Sequence, residues 1–298
     1  MKRVLILLVL VCTATSANAH PWGGLVVDAA GSVYFTFVSP IVGDGHVACV
    51  WRLDPGASEP VQALRATSDP SDLVLARDNN RVVYAAERVG SEPFQTRLWR
   101  FSPDGSPELI LPFVGASQFN ADPYAVDTNG SIYFQNGGAI WKRTIETGPE
   151  RWIEAPDRLS SLLAVQGESI LQVKGGVLVR DGELIADNLK LEDPPRVPFS
   201  GANILFDVAA DSTSTYLAYY GNREVFRVDQ DGSRHNLLES ESPWSPSGVD
   251  VYQGTVFVLE SVTPAPAWKF WQDSTLRPRI RMVSPSGEVR ALWKYMLN

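Results

Sequence analysis

Residues 27–34 read Val27-Asp28-Ala29-Ala30-Gly31-Ser32-Val33-Tyr34, and residues 126–133 repeat them as Val126-Asp127-Thr128-Asn129-Gly130-Ser131-Ile132-Tyr133. Shorter copies occur at residues 167–171 and 254–257. Each copy is an apolar stretch, a polar turn rich in Asp, Asn and Gly, and a second apolar stretch, which is the pattern of two antiparallel strands joined by a tight turn. Because a motif that returns along a chain indicates a repeat architecture, the repeat is the first guide to the fold.

A second motif follows the first in each repeat. It alternates apolar and polar residues and ends at a glycine turn, as in Trp51-Arg52-Leu53-Asp54-Pro55-Gly56 and Trp99-Arg100-Phe101-Ser102-Pro103-Asp104-Gly105. Related stretches lie at residues 141–148, 177–182, 226–232 and 281–287. A short strand pattern follows each of them, at residues 61–64, 109–111, 151–153, 184–186, 236–238 and 289–292. We therefore predict six units of four strands, starting near residues 22, 69, 120, 159, 203 and 245, with a shortened third strand in the fourth unit.

This pattern predicts an all-β fold, a six-bladed β-propeller of four-stranded antiparallel blades. The first unit begins with its innermost strand and the last unit ends with its outermost strand. We therefore expect the ring to close by packing of the first blade against the sixth, with no strand exchanged between the two ends. The loops between blades, and those between second and third strands, then share one side, the loop-rich face. The other turns lie on the opposite side, the turn face.

The first residues have the features of a secretory signal. Lys2 and Arg3 precede an unbroken apolar run at residues 4–11, and Ala17-Asn18-Ala19 fits the site read by signal peptidase. We predict a cleavable signal peptide at residues 1–19, a single propeller domain at residues 20–298, and a secreted or periplasmic location. The run is shorter than the roughly 20 residues that a membrane-spanning helix needs. We therefore expect no stable membrane insertion.

The amino-acid composition limits which classes of partner the protein is expected to bind. The chain has 34 acidic and 26 basic residues and a net charge of −8, so nothing predicts a phosphate-binding surface and nucleic acid is a poor partner. Removal of the signal would remove Cys12 and leave Cys49 alone, which excludes an internal disulfide. Cys49 lies in an apolar strand pattern, where a buried thiol acts as a small hydrophobic side chain. We expect a monomer.

The two motifs resemble those of the NHL-repeat and TolB-like six-bladed propellers, which are distantly similar to the gluconolactonase and strictosidine synthase-like propellers. The resemblance covers nearly all of residues 20–298 and implies the fold, which hosts binders, scaffolds and hydrolases alike. The lactonases carry a Glu-Gly-Pro motif that holds calcium, where this chain reads Pro21-Trp22-Gly23-Gly24. Their Asn-Gly-Leu motif is replaced by Asn120-Ala121-Asp122-Pro123-Tyr124. We therefore favour a binding or scaffold protein; a calcium-dependent lactonase-like or esterase-like hydrolase is the alternative.

Three long loops should form one rim on the loop-rich face. They lie at residues 38–46, 87–96 and 261–279, in the first, second and sixth units, which are neighbours in a closed ring. The longest contains Trp268-Lys269-Phe270-Trp271, and such large aromatic side chains are costly to leave in water. They either cover the channel or contact an unknown ligand or protein partner. The candidate ligand-binding residues are Trp22, Trp244, Trp268, Phe270 and Trp271.

Polar residues precede several inner strands at the channel mouth. Oxygen atoms that could ligate Ca²⁺ are offered by Asp72, Asn120, Asp122 and Asn203. Calcium is the one cofactor that the sequence suggests. Such residues are also common as caps at the ends of loops. Among the three histidines, His46 is the best candidate for a general base because it follows Gly43-Asp44-Gly45 on the loop-rich face. No known catalytic motif occurs, so the sequence leaves open whether the protein is an enzyme.

Overall fold

The computed structural model describes residues 24–38, 47–67, 71–90, 94–154, 162–174, 176–187, 189, 205–262 and 278–294. The predicted signal peptide lies outside these residues. The described residues form 24 strands in six antiparallel sheets of four. No helix within the described ranges is long and apolar enough to cross a membrane.

Each sheet is one blade built from four consecutive strands. Blade 1 contains β1 (Leu25–Val27), β2 (Val33–Val38), β3 (Ala48–Leu53) and β4 (Val61–Arg65); blade 2 contains β5 (Ser71–Arg77), β6 (Val83–Val89), β7 (Gln95–Phe101) and β8 (Pro107–Gly115); blade 3 contains β9 (Tyr124–Val126), β10 (Ile132–Asn136), β11 (Ala139–Arg143) and β12 (Glu150–Glu154). Blade 4 contains β13 (Leu162–Gln166), β14 (Ser169–Lys174), β15 (Val177–Arg180) and β16 (Glu183–Ala186); blade 5 contains β17 (Leu205–Ala210), β18 (Ser214–Tyr219), β19 (Glu224–Asp229) and β20 (Arg234–Glu239); blade 6 contains β21 (Trp244–Tyr252), β22 (Thr255–Val262), β23 (Arg279–Val283) and β24 (Val289–Lys294).

The predicted fold class is confirmed: the chain is all-β, with six blades of four antiparallel strands. All six predicted outer strands fall within β4, β8, β12, β16, β20 and β24. The third strand of blade 4, β15, has only four residues, as the shortened motif predicted. No strand is exchanged between the described ends, because β1 pairs with β2 while β24 pairs with β23. The inner strands β1 and β21 pack side by side and close the ring.

The turns of the repeated motif are built by their aspartates. The Asp28 carboxylate accepts hydrogen bonds from the backbone N–H of Ala30 at 2.9 Å and of Ser32 at 2.8 Å. Asp127 makes the same two bonds, each 2.9 Å long, to the turn between β9 and β10. A short acceptor at the start of a tight turn satisfies backbone donors that the hairpin leaves unpaired. The recurring Asp therefore reflects the local geometry of the turn face.

The hydrophobic core lies in the seams between neighbouring blades. Alternate residues of each sheet point to opposite neighbours. In blade 1, Tyr34 belongs to the seam with blade 2, where its ring packs 5.1 Å from that of Phe101. The next residue, Phe35, points to blade 6 and packs 5.5 Å from Trp293. The seam between blades 6 and 1 is thus a buried cluster like the others, and it closes the ring as predicted.

The ring closure depends on Gly248 in the inner strand of blade 6. A Cβ at this position would lie 2.7 Å from the backbone nitrogen of Leu25 in blade 1. We expect Gly248→Ala to lower the free energy of unfolding by roughly 1–3 kcal/mol, the usual cost of overpacking a core. Urea unfolding monitored by circular dichroism measures this change.

Gly148→Ala is the matched control, because a Cβ there has no atom within 4 Å and the backbone is not left-handed. Its effect should stay within about 0.5 kcal/mol, as for most surface changes. Equal stability of the two variants would show that the inner strands of blades 6 and 1 are not in close contact.

Candidate functional site

The six inner strands surround a narrow channel along the ring axis. Residues of all six strands line a cavity of about 50 Å³. Since one water needs roughly 10–15 Å³ of such space, the cavity has room for a few waters and not for an organic substrate. The innermost strand of every blade has one unpaired edge, whose backbone groups face the channel. Buried backbone groups need partners, so side chains or water must supply them.

Arg77, Arg81 and Asp250, here called the channel network, supply many of these partners. The Asp250 side chain is 1% exposed, and its carboxylate accepts a 2.7 Å hydrogen bond from the backbone N–H of Val27 in blade 1. Arg77 of blade 2 donates to Asp250 of blade 6 from Nε at 2.9 Å and from Nη2 at 2.8 Å. Its Nη2 also donates to the C=O of Ala210 in blade 5, at 2.8 Å. One ion pair therefore connects four blades.

Arg81 extends the network from the turn between β5 and β6. Its Nη1 donates to the C=O of Val27 at 2.9 Å, and its Nη2 donates to the C=O of Val251 in blade 6. Val27 and Arg77 are the last residues of their inner strands, so the network lies at the turn-face end of the channel.

A second carboxylate, Asp207 of blade 5, lies deeper in the channel. It accepts hydrogen bonds from the backbone N–H of Val208 at 2.9 Å, of Val249 in blade 6 at 2.9 Å and of Leu25 in blade 1 at 3.4 Å. Gly24 leaves the space for it, since a Cβ there would lie 2.7 Å from Asp207 Oδ2. The residue keeps some exposure to the cavity of the channel, which it lines.

Burial raises the pKa of Asp207 to about 7. The backbone N–H bonds oppose this rise, and the charge of Asp250 adds to it. The carboxyl therefore changes its protonation state near neutral pH while it bridges three blades. An acid whose pKa is higher in the folded than in the unfolded state binds a proton more tightly when folded.

This shift predicts how stability depends on pH. Between the unfolded pKa of about 3.9 and the folded pKa, the folded state holds one more proton at Asp207, so this residue's contribution to stability falls as pH rises towards 7 and levels off above it. We expect Asp207→Asn to remove this part of the slope. Chemical unfolding of both proteins at a series of pH values from 5 to 8 provides the measurement. Parallel pH profiles would contradict the shift.

Three of the four predicted calcium ligands come together around an arginine. Arg88 donates to Asp72 from Nη2 at 2.8 Å and to Asp122 from Nη1 at 2.9 Å. Asn120 uses its amide nitrogen for the C=O groups of Asp122, at 3.4 Å, and Gln135, at 3.2 Å. A guanidinium already stands between the two carboxylates, so this arrangement does not fit a calcium ion. Among the described residues, no group of three or more His, Cys, Asp or Glu is placed to hold a metal.

We accordingly expect calcium to leave the thermal unfolding midpoint unchanged to within about 1 °C relative to chelator, since only a ligand that binds the folded state raises it. Differential scanning fluorimetry of the protein from residue 20 onward gives the answer. A clear rise that Asp72→Asn abolishes would show that calcium displaces Arg88.

Trp244, the one predicted ligand-binding residue among the described residues, lies among cations. The Arg279 guanidinium stacks 4.2 Å from the Trp244 ring centre, and the Lys294 ammonium is 5.7 Å from it. Arg281 adds a third cation, 3.3 Å from the buried Glu260 carboxylate. We call Trp244, Arg279, Arg281 and Lys294 the blade-6 cation patch.

Glu260 anchors this patch to the preceding blade. Its side chain is fully buried and takes a 2.5 Å hydrogen bond from Arg279 Nε. Its other oxygen accepts a hydrogen bond from the hydroxyl of Ser240, which lies between β20 of blade 5 and β21 of blade 6. Glu241 lies 3.5 Å from Arg279 Nη1 but is 77% exposed. The Nη2 of Arg279 is buried and has no hydrogen-bond partner among the described residues.

Blade 2 contains a simpler version of the same arrangement. Glu87 is also fully buried, and it pairs with Arg97 of the next strand at 2.5 Å. Thr67, between β4 and β5, donates to Glu87 from its backbone N–H at 2.7 Å and its hydroxyl at 2.6 Å. Here one carboxylate meets one guanidinium, so the pair is balanced. Blade 6 adds Arg281 and Lys294 beside the corresponding pair.

An open groove of about 570 Å³ lies on the turn face between blades 1 and 2. Tyr34 and Phe101 form its floor, and Arg100 and Glu108 stand at its wall. Arg100 pairs with Glu108 at 2.6 Å, so these charges satisfy each other. The groove shows that the turn face is not flat, although the sequence predicted only tight turns there.

The remaining predicted site residues lie outside the described residues. They are Trp22, His46, Asn203, Trp268, Phe270 and Trp271. Their roles stay predictions. Cys49 is buried, as predicted. His235 lies half exposed on the outer strand β20, with Nε2 3.1 Å from Asp229 Oδ2.

Comparison with known proteins identifies the fold and assigns no function. No protein-family model matches the chain. No curated protein matches it in sequence. The chain is a six-bladed β-propeller. A structure of streptogramin B lyase matches with a TM-score of 0.50 and 11% identity, over 95% of this chain and 85% of that one.

A protein of unknown function from Bacteroides thetaiotaomicron matches with a TM-score of 0.52 and 11% identity, over 80% of this chain and 67% of that one. At such low identity these likenesses show the fold alone. The predicted resemblance to six-bladed propellers is thus confirmed. The finer assignment to the NHL-repeat or TolB-like groups stays a prediction.

Sequence reasoning missed the channel network and the blade-6 cation patch. A signal for the network exists, because Arg77 and Asp250 are charged residues within inner strands. Arg77 pairs with Val83 in the register where other blades pair Val27 with Val33 and Val126 with Ile132. A charge where blades 1 and 3 have valine indicates a buried partner.

Proposed function

We propose that this chain is an exported binding protein, and that its ligand or partner presents an anionic group to the blade-6 cation patch on the loop-rich face. The anionic group would be a carboxylate, a sulfate or a phosphate, the groups that guanidinium forks bind best. The proposal rests on the number of cations around Glu260. Blade 6 places more positive side chains beside this carboxylate than the single arginine that anchors blade 2.

Blade 2 provides the internal reference for that excess. Its Glu87–Arg97 pair connects the blade to the preceding linker with one charge of each sign. In blade 6 the equivalent pair is Glu260–Arg279, and Arg281 and Lys294 stand beside it. Arg279 and Arg281 share the single Glu260 carboxylate, which balances one of their two positive charges. Glu241 lies 3.5 Å from Arg279 Nη1 but is largely in solvent, where its attraction is weak.

Arg279 and Trp244 form the buried base of the patch. Arg279 is 8% exposed and Trp244 is 7% exposed, and the guanidinium carbon lies 4.2 Å from the centre of the Trp244 ring. Arg281 is partly exposed and Lys294 is exposed, so these two side chains present the positive charge of the patch to a ligand.

Two further observations favour a binding protein on this face over a calcium-dependent hydrolase. The channel network occupies the turn-face end of the channel, so a site on the opposite face does not compete with it. At that end, Arg88 neutralises Asp72 and Asp122, which the hydrolase would need as metal ligands. A site built on fixed aromatic and cationic side chains is suited to recognition.

The test uses fluorescein-labelled poly-L-glutamate as an anionic probe, measured by fluorescence anisotropy in low and physiological salt. The protein carries a net charge of −8 and should repel a polyanion, so binding requires a local cationic site. We expect measurable binding that weakens with salt. The double variant Arg281→Gln/Lys294→Gln should lose at least roughly tenfold in affinity, because charge-assisted hydrogen bonds contribute about 1.5–3 kcal/mol each.

The matched control is Arg151→Gln/Arg290→Gln, which removes the same two charges from exposed positions on outer strands. It should bind as the unmodified protein does. An equal loss in both double variants would assign the binding to net charge and reject the patch. Absence of binding in low salt would also reject it.

A further inference from the structure

A separate pocket lies where blade 6 meets blade 1. Its volume is about 160 Å³. Its lining consists of Phe35, Phe37, Trp51, Glu59, Pro60, Pro278 and Trp293. We call this set the seam pocket. It lies outside the channel and shares no residue with the blade-6 cation patch, so it is independent of the function proposed above.

The walls of the seam pocket are almost entirely aromatic and proline side chains. Blade 1 contributes two phenylalanines from β2 and Trp51 from β3, and blade 6 contributes Trp293 from β24. Phe35 and Trp293 are in ring contact, with their planes inclined at 41°. Aromatic faces carry partial negative charge, so a pocket made of them attracts a cation as well as an apolar group.

A single charged residue distinguishes between those two kinds of guest. Among the described residues of the lining, Glu59 is the one charged side chain. It is exposed, and one carboxylate oxygen accepts a 3.3 Å hydrogen bond from Trp293 Nε1. That bond holds the carboxylate at the pocket while its other oxygen accepts no hydrogen bond among the described residues. The described lining therefore carries a net negative charge.

Trp51 contributes an aromatic wall to the pocket, and its indole Nε1 is buried away from the open space. The pocket thus offers a guest an aromatic wall and a carboxylate.

We propose that the seam pocket binds a small alkylated ammonium group. The alkyl groups contact the aromatic walls, and the positive charge faces Glu59. The volume fits one such group, since an engineered cavity of roughly 150 Å³ takes up benzene. A neutral apolar guest would use the walls but leave the carboxylate without a counter-charge.

Choline and 3,3-dimethylbutan-1-ol form the decisive pair of probes. They have the same shape and the same hydroxyl, and they differ in that a carbon replaces the ammonium nitrogen. Binding is measured from the indole N–H resonances of ¹⁵N-labelled protein, with those of Trp51 and Trp293 assigned through Trp51→Phe and Trp293→Phe. We expect choline to shift these two resonances and to bind at least tenfold more tightly than the neutral alcohol.

Glu59→Gln isolates the charge. Because Glu59 is exposed, the variant should fold with an unchanged unfolding midpoint and should lose the preference for choline over the neutral alcohol. Glu288→Gln removes an exposed carboxylate elsewhere and should keep that preference. Equal affinity of the two probes in the unmodified protein would identify the pocket as an apolar packing gap and overturn the proposal. Shifts spread over other indoles, or none with either probe, would overturn it as well.

Discussion

The structure depends on how the unpaired edges of six inner strands are satisfied in a channel too narrow for bulk water. Every blade places one such edge at the axis, and the cavity there measures only about 50 Å³. Asp250 accepts the N–H of Val27, while Arg77 and Arg81 donate to the carbonyl groups of neighbouring inner strands. These bonds act across the seams, where backbone pairing between blades is absent. Charged side chains therefore perform at the axis the task that an exchanged strand performs in other closed rings.

Breaking such a network has a different cost from weakening a surface ion pair. A buried carboxylate without its guanidinium is an uncompensated charge, and removal of one partner of such a pair typically costs about 3–5 kcal/mol. Exposed pairs such as Arg151–Glu154 contribute at most about 1 kcal/mol. Asp207 differs from Asp250 because its hydrogen-bond partners among the described residues are backbone N–H groups and include no arginine. This difference explains why burial raises the pKa of Asp207 to about 7.

The fold could be predicted from the sequence because its signals are local. The turn at Asp127 is specified within four residues, and the alternation in β11 or β23 within five. The channel network is not local: Arg77 and Asp250 are 173 residues apart, and their pairing follows only from closure of the ring. Arg88, which pairs with Asp72 and Asp122, was missed because the sequence predicted a loop at residues 87–96, whereas β6 continues to Val89 and fixes its direction. Arg279 was missed for the same reason, because the predicted loop 261–279 includes the first residue of β23.

The channel network and the blade-6 cation patch lie in different parts of the fold, so ring closure and ligand recognition depend on different residues. Closure of the ring relies on residues within the inner strands, whereas the blade-6 cation patch lies at the loop-rich ends of its strands. Substitutions, insertions or deletions in the loops can therefore accumulate without disturbing closure. A lineage that duplicates this gene could exchange one recognition specificity for another while the scaffold stays intact. The same separation makes the ring a usable frame for grafting loops of chosen sequence in protein engineering.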